Sequence, residues 1–194
     1  EYLGHDGIDL HEGDQVGRLT GWSKYRDLHQ ALRSARSVNT LGDETCIANH
    51  WYETPDAEIY ASMICEYQPT DIIEIGAGYS TQIARLAIDW AGIDTRLVAI
   101  DRDPRRSVTE AASLVIPRYV EDLDLNGAPF SDLSGRVLLF VDSSHVVRAG
   151  GDIPLLFNRV IPNLPPGSMI HVDDVFIPWD YPTSFRKRLY TEPV

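Results

Sequence analysis

"IIEIGAGYST", residues 72–81, runs from three isoleucines and an acid into two glycines and a pair of hydroxyl residues. Such a run is a short buried strand, then a turn in which the backbone can come close to a ligand at Gly76 and Gly78, then a helix opened by Ser80 and Thr81. The next segment supports the helix, because "TQIARLAIDW" (81–90) sets Ile83, Leu86, Ala87 and Trp90 at i, i+3, i+4 and i+7. A strand, a glycine turn and a helix form the opening unit of a nucleotide-binding α/β layer. Many ligands use one.

The unit repeats downstream. "RLVAID" (96–101) reads as a second strand, followed by a helix opening at Asp103-Pro104 and carrying Val108, Ala111, Ala112 and Val115. A third strand is expected near "RYVEDL" (118–123). "RVLLFVD" (136–142) is the most apolar run and suits a central parallel strand covered on both faces. "GDIPLLFNRVIPNL" (151–164) reads as a helix with Asp152 as N-cap, and "SMIHVDD" (168–174) as the fifth strand. Alternating strands and helices imply an α/β fold with a doubly wound, mostly parallel sheet, since parallel strands need crossover connections.

Upstream, residues 1–21 hold five glycines and scattered acids without a sustained period, and are expected to be an irregular arm. Trp22, Tyr25, Leu28, Leu32 and Ala35 recur at helical spacing. A second helix is expected over Pro55–Tyr67, with Thr54 as N-cap and Ile59, Met63 and Tyr67 along one face. The expected division is an N-terminal arm and helical cap over 1–53, lying at the edge or mouth of the sheet, and a ligand-binding domain over 54–194.

Composition narrows the ligand. With 17 basic against 29 acidic residues the chain carries a formal charge of −12, so nucleic acid or an anionic membrane would bind against the mean field. No stretch approaches the ~20 apolar residues of a membrane span. The two cysteines, Cys46 and Cys65, fit neither a disulfide framework nor a CxxC metal site, and read as reduced thiols of a cytoplasmic protein. A small molecule is the expected partner.

In a doubly wound sheet the ligand sits at the carboxyl ends of the strands, where acids dominate: Glu74 beside Gly76-Ala77-Gly78, Asp101-Arg102, Glu121-Asp122, Asp142 to His145, and His171 with Asp173-Asp174. A dinucleotide fingerprint would put a third glycine at position 81, where this chain has Thr81, and an acidic rim is a poor host for a pyrophosphate. A ligand with a ribose, an adenine and a cationic centre, but no phosphates, satisfies Asp101 and the acids around it. NAD(P)-dependent oxidoreduction is the rival enzyme class, and a non-catalytic domain that keeps the cofactor fold is the rival outside catalysis.

"IIEIGAGYST", "LVAIDRDPR", "LLFVDSSHV" and "LPPGSMIHVDD", in this order, resemble the successive motifs of the class I S-adenosylmethionine-dependent methyltransferases, especially small-molecule enzymes of secondary metabolism. The resemblance spans roughly residues 54–182. It implies a Rossmann-like sheet with S-adenosylmethionine across the first turn: Asp101 and Arg102 at the ribose, Asp122 near the adenine, Glu74 and Gly76 near the methionine part, with Ala77, Gly78, Ser80, Thr81 and Asp142 completing the pocket. It also implies an acceptor that is methylated at oxygen, with an activated carbon as the second choice.

Asp142 and the pair Asp173-Asp174 stand at the ends of neighbouring strands, and three oxygen ligands there could hold Mg²⁺ or Mn²⁺. This is similar to the divalent-metal, catechol-type O-methyltransferases, although Asp174 stands where that type usually has Asn. His145 and His171 add imidazoles that would suit Fe²⁺, Mn²⁺ or Zn²⁺. The metal-free alternative makes His145 a general base, and His171, inside a strand, equally reads as a core histidine. Trp179 and Tyr181 of "FIPWDYP" (176–182) are candidates to wall the acceptor pocket, as are Tyr52 and, on weaker grounds, His50 and Trp51. Twenty residues after Asp174 are fewer than this architecture uses for a closing helix and strand pair, so the sheet is expected to be incomplete at its C-terminal side, leaving an edge that favours a homo-oligomer.

Overall fold

The computed structural model describes residues 9–35, 49, 51–179, 181–183 and 185. Five strands form one sheet: β1 (Asp71–Ile75), β2 (Arg96–Ile100), β3 (Leu114–Ile116), β4 (Val137–Val141) and β5 (Met169–Val172). Every pairing is parallel, and the order is β3-β2-β1-β4-β5. Between β1 and β4 the winding reverses, which makes their carboxyl ends the switch point where a doubly wound sheet opens a crevice. The expected α/β architecture is the observed one.

Two apolar clusters lie on the two sides of the sheet. Ile72, Leu97, Leu138 and Phe140 point to one side, against α2 (Arg26–Ser34), α3 (Asp56–Tyr67) and α4 (Tyr79–Ala91). Ile73, Ile75, Val98, Ile100, Leu139 and Val141 point to the other, against the helical segment that starts at Asp152 and against Val120. The strict alternation follows from the two-residue period of a strand, and both sets are apolar because both faces are covered.

Several local expectations are corrected. The arm is not irregular throughout: Glu12–Gly21 form a helix, α1, with no buried residue, while residues 1–8 lie outside the described residues. The helix expected from Trp22 begins as a 3₁₀ turn (Trp22–Tyr25) and continues as α2, which buries Leu28 and Leu32. It does not lie over the mouth; it packs on α3 and α4, with Tyr25 edge-on to Trp90 at 6.0 Å. Helix α3 begins one residue later than expected, with Pro55 rather than Thr54 at the cap position and the Glu53 and Pro55 carbonyls taking the first N–H groups. Its buried face is Ala57, Tyr60, Ala61, Ile64 and Cys65, not the Ile59-Met63-Tyr67 line, because Tyr60 carries a polar group inward and the small residues let α4 approach. Trp90 of α4 is 46% exposed.

The third strand is Leu114–Ile116, and "RYVEDL" instead holds a 3₁₀ turn at Val120–Asp122. Val115, expected on the preceding helix, belongs to this strand. Helix α5 (Arg106–Ala111) stops short of it, and Ser113 then exchanges bonds with Leu97, committing the β-branched Val115-Ile116 pair to β2. The helix expected over 151–164 is α6 (Asp152–Leu155), a wider π segment (Leu156–Val160) and a 3₁₀ turn (Ile161–Asn163). Its cap residue is Gly151; the Asp152 side chain is engaged elsewhere. Cys65 is buried, which pushes its thiol up to about 11, while Cys46 lies outside the described residues. No helix among the described residues is long and apolar enough to cross a membrane.

Gly76 fixes the geometry of the switch point. Its φ is +80°, and a Cβ built on it would stand 1.8 Å from the backbone oxygen of Asp142. The glycine is therefore required by the protein itself, before any ligand is considered. Gly92, which ends α4 with φ +63°, has nothing within 4 Å of the same imaginary atom. Gly76→Ala is expected to cost at least ~3 kcal/mol of stability, since both the backbone and a neighbouring strand end must move, against roughly 1 kcal/mol for Gly92→Ala. Urea denaturation midpoints of the two variants check this, and equal midpoints would contradict it.

Candidate functional site

The turn after β1 is held by protein acceptors at each of its three amide groups. The Gly76 N–H donates to the Ile100 carbonyl at 3.0 Å, the Ala77 N–H to Asp101 Oδ2 at 3.0 Å, and the Gly78 N–H to Thr81 Oγ1 at 3.2 Å. Asp101 is also bound from its other oxygen by the Asp103 N–H at 2.8 Å. These are the donors that would cradle a phosphate in a dinucleotide turn, and here they are already in use. Thr81, occupying the place of the third glycine, supplies one of the acceptors.

Beneath the turn lies Glu74. It is fully buried and lines neither of the cavities described below, so the expectation that it meets the cofactor is replaced by a structural role. Thr81 Oγ1 donates to its Oε2 at 2.5 Å and Tyr60 Oη to its Oε1 at 3.1 Å, tying β1 to α3 and α4. Burial pushes this carboxyl up to about 7; the hydroxyls of Thr81, Tyr60 and Ser80 pull it down, and Asp142 adds to the rise.

Two cavities open over the carboxyl edge, and Gly76, Asp101 and Asp142 line both. The smaller, about 420 Å³, is bounded by Arg102, Val120, Glu121, Ser143, Ser144 and Asp152 among others. Asp122, expected near the adenine, is exposed and outside this lining; its neighbour Glu121 lies within it. The larger, about 810 Å³, takes Ala77, Gly78 and Ser80 from the turn, the acids Asp173 and Asp174, and the aromatic residues Trp51, Tyr52, Tyr79 and Phe185. Arg105, whose guanidinium lies 5.1 Å from the Tyr79 ring, is at its rim. Tyr79, Arg105 and Phe185 were not singled out from the sequence; Tyr79 was within reach, as the residue directly after Gly78 at the start of the helix.

Of the expected aromatic wall, Tyr52 is in place: it is buried against Phe140 and Tyr60, and burial together with the charge of Asp173 pushes its hydroxyl well up. Trp179 is 58% exposed and outside the lining, and Tyr181 packs on Phe176 and Phe185 behind it. His50 lies outside the described residues.

The expected chemistry of the histidines is corrected. His145 is fully buried, lines neither cavity, and meets Asp142 Oδ1 through Nε2 at 3.2 Å. It supports Asp142 from below and does not face an acceptor. His171 packs between Phe140 (4.9 Å) and Tyr60 (5.4 Å), and burial lowers it to about 4, so its ring is neutral. Its Nδ1 is buried without a partner among the described residues. Asp142, Asp173 and Asp174 do share the larger cavity. Burial and the charges of Asp142 and Asp174 push Asp173 up to about 7. Among the described residues, however, no three His, Cys, Asp or Glu side chains come together as a group able to hold a metal ion. Among the described residues neither the mixed histidine-carboxylate set for Fe²⁺, Mn²⁺ or Zn²⁺ nor the three carboxylates form such a group.

No family model and no curated protein matches the chain. Among solved structures, one described as "cmcI-D160 Mg-SAM" is similar at 20% sequence identity with a TM-score of 0.48. The match covers 74% of this chain and 64% of that one, so the chain spans less than two thirds of that protein's length.

The buried carboxyl gives a pH prediction. Because Glu74 is raised in the folded chain from its ordinary 4.5 to about 7, the unfolded chain releases this proton first, and stability falls as pH rises through that window. The loss amounts to about 3 kcal/mol at most, present in full above pH 7 and absent below 4.5. In Glu74→Gln the component disappears, so the difference between the wild-type and variant urea stabilities should change across pH 4.5–7 and be flat outside it. A difference that is flat throughout would contradict the assignment.

Proposed function

We propose that the chain binds S-adenosylmethionine across the two cavities and transfers its methyl group to a small-molecule acceptor, an oxygen being the atom the site suits best. The observation that carries this reading is the turn whose three N–H groups are already bonded to protein acceptors, at the mouth of an acid-lined cleft. Such a turn can seat an adenosyl group by close approach but offers a pyrophosphate none of its own three N–H groups. Asp101 keeps lone pairs for a ribose diol, and the smaller cavity accepts a nucleoside, with Glu121 and Arg102 at its wall. The acids of the larger cavity favour a cationic sulfonium.

The cofactor supplies a methyl carbon activated by its sulfonium. The chain's own task is to align, deprotonate and exclude water. Asp173 lines the larger cavity beside Asp142 and is the group placed to take the acceptor's proton. The acceptor's oxygen then bonds to the methyl carbon as the carbon–sulfur bond breaks, leaving S-adenosylhomocysteine. Asp142 is held in orientation by His145. Tyr52, Tyr79, Trp51 and Phe185 provide a surface on which a flat acceptor can lie. That the acceptor is of the secondary-metabolite kind rests on the sequence resemblance alone.

A second reading adds a magnesium ion, favoured by the mutual charge of Asp142, Asp173 and Asp174 in an all-oxygen set. Those three residues would hold it by drawing together, and it would lower the pKa of an acceptor hydroxyl. Treatment with a chelator followed by Mg²⁺ separates the two readings: turnover unaffected by the chelator supports Asp173 as the base, and turnover restored only by Mg²⁺ supports the ion.

In calorimetry the chain is expected to bind S-adenosylmethionine or S-adenosylhomocysteine at least tenfold more tightly than NAD(P)H, and the reverse order would sink the proposal. Asp173→Asn should lower kcat by 10² or more, the usual scale for a general base, with cofactor affinity within about threefold of wild type. Tight cofactor binding without methyl transfer to any of a broad acceptor panel would favour a non-catalytic role.

A further inference from the structure

The smaller cavity has a polar end that the reading above leaves unexplained. After Asp142 the chain turns through Ser143, Ser144 and His145 before α6 begins at Asp152, and Ser143, Ser144 and Asp152 all line the cavity. The Asp152 carboxylate is 4% exposed. It accepts the Ser144 N–H on Oδ2 at 2.8 Å and the Ser144 hydroxyl on Oδ1 at 2.5 Å. Ser144 Oγ in turn accepts the Val146 N–H at 3.2 Å. Ser144 is thus fully committed to the loop.

Ser143 is not. Its Oγ is shielded from water and meets no partner in hydrogen-bond geometry among the described residues, although the side chain stands near enough to Asp152 to add its dipole to that of Ser144. A buried hydroxyl left in this state is a cost that a folded chain tolerates where another partner completes the bond. A rotation about χ1 toward the cavity gives up only its off-geometry approach to Asp152. Meanwhile the two hydrogen bonds from Ser144 to Asp152 pin the backbone on which Ser143 rides.

We propose that Ser143 contacts the bound nucleoside through its hydroxyl, and that Asp152 is the positioning residue that holds it in place by way of Ser144. The inference rests on S-adenosylmethionine being the ligand of this cleft. The chemistry it requires is a hydrogen-bonding atom on the ribose or the purine edge, the parts of the cofactor that a cavity of this size and lining accepts.

The test uses the full chain, S-adenosylhomocysteine as calorimetric probe, and thermal melting of the unliganded protein. Ser143→Ala is expected to bind the probe 5- to 20-fold more weakly while melting at the same temperature or higher, because the variant removes an unsatisfied polar atom. A merely structural serine would not separate the two readouts in this direction. Ser143→Thr, which keeps a hydroxyl, should bind within threefold of wild type. Asp152→Asn should weaken binding as well, and the double variant Ser143→Ala/Asp152→Asn should bind no more weakly than the weaker single variant, since both act on one contact.

Binding by Ser143→Ala within twofold of wild type overturns the contact. Additive losses in the double variant overturn the positioning role of Asp152. Wild-type protein that fails to bind S-adenosylhomocysteine at all overturns the cofactor assignment, and this inference with it, which is a different result from either of the others.

Discussion

The site depends on one close approach. At Gly76 the end of β1 passes so near the carbonyl of Asp142, at the end of β4, that even a methyl group would overlap it. These are the two strands between which the sheet reverses its winding. Their nearness lets Gly76, Asp101 and Asp142 serve as the shared wall of two cavities, which the proposal gives to a nucleoside and to an acceptor. Displacing this contact would separate the cavities' common wall from both.

Around that contact the chain arranges its charges in layers. Glu74 lies beneath, buried, gathering hydroxyls from α3 and α4 so that the turn above it has a fixed floor. Asp101 lies beside it and takes a turn N–H that would otherwise face the cleft. Asp142, Asp173 and Asp174 lie across the larger opening, where burial and mutual repulsion raise Asp173. Such carboxylates are poorly served by one another and well served by a cation, whether a sulfonium or a metal. His145 spends its Nε2 on Asp142, which explains why a histidine in a loop that lines the cleft is not itself in the cavity.

The sheet and the position of the cleft were legible in the sequence because they rest on short-range signals: β-branched runs, glycine turns and the regular alternation of strands with helices. The central, doubly covered character of β4 followed from its uniform hydrophobicity. What could not be read was direction and depth. A carboxylate at a strand end points into the cleft or beneath the turn depending on the two-residue phase of the strand, and Glu74 falls on the buried phase while Asp101 and Asp142 extend past their strands. His145 was placed correctly in the chain but not in depth, and for His171 the core reading, not the ligand reading, is the observed one; nothing local distinguishes a ligand from a packed imidazole. Val115 illustrates the remaining ambiguity: its spacing from Val108 and Ala112 is helical, yet pairing with β2 decides its conformation. Phe185 reaches the cavity only through tertiary packing, which carries no periodic signature.

The central claim is that the first turn seats a phosphate-free adenosyl cofactor because its amides are already bonded within the protein. A crystal structure of the chain with S-adenosylhomocysteine tests it most directly. The account predicts the adenosine in the smaller cavity with its ribose at Asp101, and the Ala77 and Gly78 N–H groups still donating to Asp101 and Thr81. A ligand found elsewhere, or those two amides released from their protein acceptors to bind it, would contradict the account.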